Sequence, residues 1–216
     1  MSVSVVYLDW KHSPKGFKDN FLASYDQNDA GWRHDLIILP WDKGMDIEAY
    51  YQIAGKLDTD FLLFLNTYTL IRKPMWLDKM MQFATLANVG MVGGFGSYEQ
   101  CPNGGTRFPN PHIRTNCFLM QRTLMLRYPL RPTTKNECYD FESGIRSIGR
   151  WLEVKELYPV LVTSEGGYYS SEWKKQRGFR QHNQEQLLFS DRQSREYDIA
   201  TPEERDRMHK LAWGET

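Results

Sequence analysis

Aromatic and polar side chains follow three short apolar runs of the sequence, at the point where each run ends. These side chains are Asp9, Trp10, Trp41, Asp42, Asn66, Thr67 and Tyr68. Flat rings stack on nucleobases and on the C–H faces of sugars, while carboxylates and amides hydrogen-bond hydroxyl groups. Ligands of an open α/β sheet bind beyond the carboxyl ends of its strands. We therefore expect a ligand site there, with Trp10, Trp41 and Tyr68 as stacking surfaces.

The elements that must position these side chains alternate between strands and helices. Short apolar runs typical of buried strands lie at residues 3–8, 35–39, 61–65 and 89–92. Between them the sequence predicts helices over 14–26, from Asp46 and from Pro74, the last two with apolar residues at i, i+3, i+4 and i+7. This alternation predicts an α/β fold, a mostly parallel sheet with helices on both faces.

The second half of the chain has a different composition. Residues 93–116 are rich in Gly, Pro and Asn and too numerous for a plain connection, which indicates a functional or covering loop. The remaining predictions are strands over 117–120 and 160–163, a helix over 139–152, mostly loop over 165–194, and a last helix capped by Thr201 and Glu204. Without a repeat or a linker, residues 1–216 are predicted to form one domain of two halves, 1–95 and 96–216.

Charge and aromatic content narrow the function classes. The 27 basic and 27 acidic residues cancel, which excludes a generally basic nucleic-acid binder but leaves room for a local patch. The 7 Trp, 12 Tyr and 11 Phe are more rings than a core of this size needs, so some are expected to line a site.

Cysteine usage and hydropathy predict a cytoplasmic protein. The 3 cysteines lack zinc spacing and are expected to be reduced and buried. The first residues lack a basic leader, and no run approaches the roughly 18 apolar residues of a membrane span. The Walker A loop, the Gly-x-Gly-x-x-Gly helix start and the Gly-x-Ser-x-Gly elbow are all missing, so P-loop enzymes, Rossmann dehydrogenases and α/β-hydrolases are disfavoured.

Four consecutive segments carry a family resemblance. They read EAYYQIAGKL, DFLLFLNTYTLI, KPMWLDKM and VGMVGGFGS. Their order resembles nucleotide-sugar-dependent glycosyltransferases of the GT-A fold, in the family 2-like group, over roughly residues 36–150. The resemblance implies a single-domain sugar transferase with a UDP-sugar as the expected donor. It makes 1–95 the donor half and 96–216 the acceptor and catalytic half. The predicted donor-binding residues are then those at the strand ends, Asp9, Trp10, Trp41, Asp42, Asn66 and Tyr68.

The segment CYDFESG resembles the helix start that supplies the catalytic base in these enzymes. With Phe141 on the apolar face, Glu142 is predicted in the first turn of the helix, where the helix dipole favours a carboxylate. We take Glu142 as the base and Asp140 as the competing choice; the alternative is that both only cap the helix. The segment HIRTNCFLMQR is similar to the family's acceptor-side loop, and His112, Arg114 and Asn116 within it suit phosphate or sugar hydroxyls.

The sequence departs from the family where Asn66-Thr67-Tyr68 replaces the Asp-x-Asp that holds a divalent cation. Hard cations such as Mn²⁺ and Mg²⁺ prefer carboxylate oxygens. Three explanations remain open. In the first, fewer residues hold the metal, with His182 as an additional ligand. In the second, basic side chains neutralise the phosphate charge in place of a metal. In the third, catalysis has been lost and the chain is a binding module. The candidate cations are Arg114, Lys174, Lys175, Arg177 and Arg180.

The late basic segment bears on the acceptor. Trp173 with Lys174 and Arg177 is interpreted either as a lid over a diphosphate or as a solvated charged loop. Its basic and aromatic residues fit a hydroxymethylated base of phage DNA as the acceptor, and a saccharide is the other choice. A nucleotidyltransferase is disfavoured, because a Gly-rich basic segment does not follow the first strand. The run SDRQSREYD, with Asp191, Arg192 and Arg195, is expected to form a carboxylate–guanidinium network.

Overall fold

A central sheet and flanking helices are built from elements that alternate along the first half of the chain. The computed structural model describes residues 1–215. In this half the elements are β1 (Val3–Trp10), α1 (Phe17–Gln27), β2 (Asp35–Trp41), α2 (Asp46–Ala54), β3 (Phe61–Leu65), β4 (Leu70–Ile71), α3 (Trp76–Ala84) and β5 (Val89–Gly93). Each predicted strand and helix of this half is present.

The second half adds shorter elements. They are β6 (Gly96–Ser97), β7 (His112–Ile113), β8 (Cys117–Gln121), α4 (Arg122–Arg127), α5 (Lys135–Ser143), α6 (Ile148–Glu153), β9 (Tyr158–Thr163), β10 (Gly166–Tyr169), a 3-10 helix (Ser170–Lys175), β11 (Phe189–Ser190), α7 (Arg192–Ile199) and α8 (Pro202–Trp213). The late segment therefore holds more regular structure than the loop that the sequence predicts.

The main sheet has seven strands in the order β10-β9-β5-β8-β3-β1-β2. Strands β1, β2, β3, β5 and β9 run parallel, and only β8 and β10 are antiparallel to their neighbours. Strand β8 lies between β3 and β5, so both halves of the chain contribute to one sheet. The predicted α/β fold with a mostly parallel sheet is confirmed.

Helices cover both faces of the sheet. Tyr7 of β1 stacks on Phe21 of α1, with ring centroids 3.9 Å apart. Phe64 is in register with Val6, the neighbour of Tyr7, and therefore points to the opposite face, where it packs on Tyr50 of α2 at 4.5 Å. Side chains of this size contribute roughly 1.5–3 kcal/mol each when fully buried.

The predicted helix over 139–152 is wrong in its bounds. Helix α5 begins four residues earlier because Thr134 and Glu137 form a capping box, and it ends at Ser143. The chain then turns at Gly144, where a Cβ atom would lie 2.7 Å from the Cα of Asp140. Ile145, expected on the apolar face, is 66% exposed. Glu142 consequently lies in the last turn of α5, so neither the helix dipole nor N-terminal capping explains it.

The C-terminal helix and the cysteines agree with the sequence predictions. Thr201 and Glu204 form the expected capping box of α8, and all three cysteines are free and buried. The backbone N–H of Tyr98 donates to the carbonyl of Ala212, which docks α8 on the long loop. Within residues 1–215, the helices all fall short of the length and apolarity that crossing a membrane requires.

Candidate functional site

A polar cavity of about 500 Å³ opens at the carboxyl end of β3, beside the start of β8. Side chains from both predicted halves line it. These lining side chains include Asp46, Asn66, Tyr68, Arg114, Thr115, Asn116, Lys135, Glu142, Arg180 and Asp191. The predicted edge of the sheet therefore carries a cavity, and it brings together six of the candidate residues from distant parts of the chain.

The Asn66-Thr67-Tyr68 segment divides its side chains between the cavity and the core. The Thr67 hydroxyl donates to the Leu8 carbonyl at 2.7 Å, and the Tyr7 hydroxyl donates to the Thr67 carbonyl at 2.7 Å. Thr67 thus fixes the loop to β1, while Asn66 and Tyr68 face the cavity. The Asn66 side-chain oxygen accepts from the Tyr68 N–H at 3.0 Å and from the Thr69 hydroxyl, so it is already committed to the turn.

Glu142 is held through one carboxylate oxygen only. The backbone N–H and the hydroxyl of Thr115 both donate to its Oε2, each at 2.7 Å. Oε1 accepts no hydrogen bond from residues 1–215, yet it is not among the fully buried atoms that lack a partner, so it is accessible from the cavity. Burial acts to raise the pKa of Glu142, but Arg114, His112 and the two Thr115 bonds outweigh it and hold the pKa below its usual range. The carboxylate is ionised with one free oxygen.

Two arginines share one carboxylate beside Glu142. Arg114 and Arg180 donate to the two oxygens of Glu99 at 2.6 and 3.1 Å. Both guanidinium groups lie over the ring of Phe179, with their central carbons 5.3 and 5.0 Å from its centroid. The Nε atoms of both arginines are buried without a partner in the described chain. Since one carboxylate faces two guanidinium groups, this wall of the cavity keeps unused N–H donors.

A second cavity of about 860 Å³ lies on the other side of this wall. It shares Arg114, Tyr139, Glu142, Arg180 and Gln193 with the first cavity. Its other lining residues include Glu99, Pro102, Phe108, His112, Lys210 and Leu211. The two cavities therefore meet at Glu142.

His112 lines the second cavity, and its hydrogen bond defines which ring nitrogen carries the proton. It is 5% exposed, and its Nδ1 is 2.8 Å from the carbonyl oxygen of Asn110. A carbonyl only accepts, so Nδ1 carries the proton and Nε2 carries a lone pair in the neutral ring. Burial lowers the pKa of His112, which keeps the ring neutral near pH 7.

The sequence candidates for this cavity miss several of its lining residues, among them Asp46, Lys135 and Asp191. Burial, with the charge of Glu142, raises the pKa of Asp46 above its usual range. Lys135 places its Nζ 4.7 Å above the ring of Tyr139 and has no carboxylate within 4.0 Å in residues 1–215. Asp191 caps α7 through Ser194 at 2.7 Å and also accepts from the amide of Asn116. The capping box of α5 is the one sequence signal that could have placed Lys135 near Glu142.

Four predicted donor residues lie on the same edge but outside the cavity. Asp9 forms an ion pair with Lys18 at 3.1 Å, and Trp10 packs edge-on against His12. Asp42 is exposed, and Trp41 is half-buried at the end of β2. Asp140 lines a smaller cavity with Tyr128 and Arg131, and its Oδ1 accepts from the side-chain amide of Asn103 at 3.2 Å.

The late segment does not form a lid. Trp173 is fully buried, donates from Nε1 to the Tyr168 carbonyl at 2.7 Å and stacks on Tyr98. Lys174 is exposed and Arg177 pairs with Glu185, and neither lines the first or the second cavity. His182 is exposed and outside both cavities as well, so it is not placed to help hold a metal there.

The cavity residues do not fit a divalent cation as they are arranged. Among residues 1–215 no three His, Cys, Asp or Glu side chains converge on one point. The oxygen of Asn66 and both oxygens of Asp191 are committed to hydrogen bonds. A hard cation needs several such oxygens at once, and these residues do not supply them.

No protein family model and no curated protein matches the sequence. Several solved structures are similar. CMP:2-keto-3-deoxy-manno-octonic acid synthetase complexed with CTP is 10% identical at a TM-score of 0.45, covering 81% of this chain and 96% of that chain. Glucosyl-3-phosphoglycerate synthase from Mycobacterium tuberculosis, in complex with Mn²⁺, UDP and glucosyl-3-phosphoglycerate, is 12% identical at 0.44, covering 78% and 71%. The protein A197 from STIV is 13% identical at 0.44, covering 78% and 85%.

Proposed function

We propose that this protein transfers a sugar from a nucleotide-sugar donor to an acceptor hydroxyl. The observation that carries the proposal is the free Oε1 of Glu142, a residue that lines both cavities. An ionised carboxylate with one unused oxygen is suited to removing a proton from a hydroxyl group. The first cavity takes the donor and the second takes the acceptor. The sequence resemblance supports a UDP-sugar as the donor.

Cationic and aromatic side chains support the donor assignment. Arg114, Arg180 and Lys135 line the volume where a diphosphate would lie, and Lys135 has no carboxylate within 4.0 Å in residues 1–215. The nucleoside extends along the edge of the sheet past Tyr68, towards Trp10. Asp46 lines the same cavity and is placed to hydrogen-bond a sugar hydroxyl.

The proposed reaction is a single displacement with its charges balanced. Glu142 Oε1 takes the proton of the acceptor hydroxyl, and the acceptor oxygen attacks the anomeric carbon. The bond between that carbon and the β-phosphate oxygen breaks, and the nucleoside diphosphate leaves with the bonding pair. The arginine wall and Lys135 stabilise the charge that develops on the leaving phosphate.

A panel of nucleotide sugars tests this proposal. Thermal shift and nucleoside diphosphate release are measured with Mn²⁺, with Mg²⁺ and with EDTA. We expect at least one nucleotide sugar to stabilise the protein and to be turned over in the presence of acceptor. If none raises the melting temperature, the donor assignment is wrong. Turnover that persists in EDTA supports phosphate binding by the cations alone.

A second candidate function is a binding module without catalysis. The observation that favours it is Asn66, whose oxygen is used inside the turn rather than presented to a ligand. Stabilisation by a nucleotide sugar without release of the diphosphate, over a broad acceptor panel, would favour this alternative.

A further inference from the structure

We infer that the second cavity binds a saccharide through two neighbouring hydroxyl groups, one at Glu142 and the other at Nε2 of His112. This inference rests on the proposed function, because it assigns the acceptor of that reaction. His112 is then a positioning residue: it orients the acceptor and takes no proton.

The neutral ring of His112 can accept a hydrogen bond at Nε2. The Asn110 carbonyl fixes the proton on Nδ1, so Nε2 can only accept while the ring is neutral. Nε2 has no partner in residues 1–215 and is not fully buried, although the residue as a whole is only 5% exposed. Its remaining accessible surface therefore faces the second cavity, which His112 lines. A lone pair presented there selects a ligand that donates.

Short backbone connections hold the two accepting atoms in place. His112 belongs to β7, which pairs with β6 through Ser97, and Thr115 follows three residues later and binds Glu142. His112 and Glu142 each act on the pKa of the other, so the two groups lie near each other. Two acceptors on one wall suit a ligand with two neighbouring hydroxyl donors, as on a sugar ring.

Apolar side chains complete the saccharide site. Phe108 is 42% exposed and Leu211 is 56% exposed, and both line this cavity with Pro102. Sugars present one apolar C–H face, which packs on an aromatic ring. A cavity with accepting groups on one wall and a partly exposed ring on another therefore fits a pyranose.

The charges around the cavity favour a saccharide over DNA. Binding to DNA depends on cations that are free to neutralise phosphates. Lys210, at the cavity, pairs with Asp206 at 3.1 Å, and in the late segment Lys175 and Arg177 pair with Glu172 and Glu185. These basic side chains already have carboxylate partners, which lowers the net charge that they offer to a phosphate backbone.

Two histidine variants test the inference. In His112→Asn the amide N–H can keep the bond to Asn110, but the group at Nε2 is lost; in His112→Gln an amide oxygen can take the place of Nε2. The probes are methyl hexopyranosides, their monodeoxy analogues and an oligonucleotide with hydroxymethylcytosine. Saturation-transfer NMR measures binding without a donor. Transfer kinetics are measured with whichever nucleotide sugar is turned over.

We expect a parent glycoside to bind and its deoxy analogue, lacking one hydroxyl, to bind about tenfold to a hundredfold more weakly. His112→Asn should lose this discrimination mainly through KM, and His112→Gln should restore part of it. Equal binding of parent and deoxy glycosides, unchanged discrimination in His112→Asn, no glycoside binding, or binding of the oligonucleotide alone would each overturn the inference. Stabilisation by nucleotide sugars is measured separately, so failure of the proposed function is recognised independently.

Discussion

Thr115 donates two hydrogen bonds to the same oxygen of Glu142, one from its backbone and one from its hydroxyl, both at 2.7 Å. Such a bidentate donor favours the ionised carboxylate and fixes its rotation. The other oxygen is left facing the junction of the two cavities. The pair explains how a carboxylate in the last turn of a helix, where the dipole is unfavourable, stays charged.

The base assignment predicts a large effect of Glu142→Gln. Transfer should fall by about 10²-fold to 10⁴-fold, because the proton acceptor is lost while the shape is kept. Thermal stabilisation by the nucleotide sugar should persist. Asp140→Asn is the matched control, since Asp140 lines a different cavity and should retain near-normal turnover. Comparable loss in both variants would contradict the assignment of Glu142.

The hydroxyl of Thr115 predicts a change in pH dependence. Thr115→Val removes one of the two bonds that lower the pKa of Glu142, so the pKa should rise. In the wild type the acid limb of kcat/KM should lie below about pH 4, the range of an ordinary carboxyl group. The variant should move this limb to higher pH. An unchanged limb would show that another group controls it.

Asp46 is expected to lower the stability of the fold at neutral pH. Its pKa is raised in the folded state, so it stabilises the fold in its protonated form, and that contribution is lost as pH rises through the folded pKa. At pH 7 the buried carboxylate is therefore a cost, and Asp46→Asn should raise the melting temperature. The difference should vanish at low pH, where both side chains are neutral. A variant less stable than the wild type at pH 7 would contradict the sign.

Lys135 predicts a specific loss of donor affinity. Lys135→Met should weaken binding of the nucleotide sugar about fivefold, because a partly exposed charge pair contributes around 1 kcal/mol. Lys155→Met is a close control, since Lys155 lies over the ring of Trp151 at 4.8 Å, much as Lys135 lies over Tyr139, but outside the cavity. Titration calorimetry should separate the two variants. Equal affinity in both would remove Lys135 from the donor site.

Trp173 and Lys174 are adjacent in sequence, but we expect them to contribute very differently to the free energy of unfolding. Trp173→Ala should lower the free energy of unfolding by about 3–5 kcal/mol, as expected for an emptied aromatic position in the core. Lys174→Ala should change it by less than about 0.5 kcal/mol, because that side chain is exposed. Urea unfolding measures both. Similar effects would mean that Trp173 does not anchor the core.

The strand ends were predictable from the sequence because they follow from local patterns. A buried five-residue run that ends in Asn66 places this residue at the edge of a parallel sheet whatever surrounds it. Glu142, predicted from a family resemblance, lines the cavity, and its helix begins four residues before the predicted start because of the cap at Thr134.

The rest of the site was not predictable because it depends on contacts between distant segments. Glu99 meets Arg180 across 81 positions of the chain, and Thr115 meets Glu142 across 27. No periodicity in the sequence encodes such pairs. Trp173 shows the same limit, since a tryptophan among lysines reads as exposed until the residues packed around it are known.

The docking of α8 has a practical consequence for handling the protein. Gly214 lies against Phe108, where a Cβ atom would come within 2.7 Å of the ring, and Leu211 lines the second cavity. Gly214, at the end of α8, therefore lies beside that cavity. Met1 lies near Asp58 and Phe61, at the start of β3 and so at the opposite edge of the sheet. Affinity tags and immobilisation linkers are therefore better placed at the amino terminus, where they leave the entrance to the second cavity open.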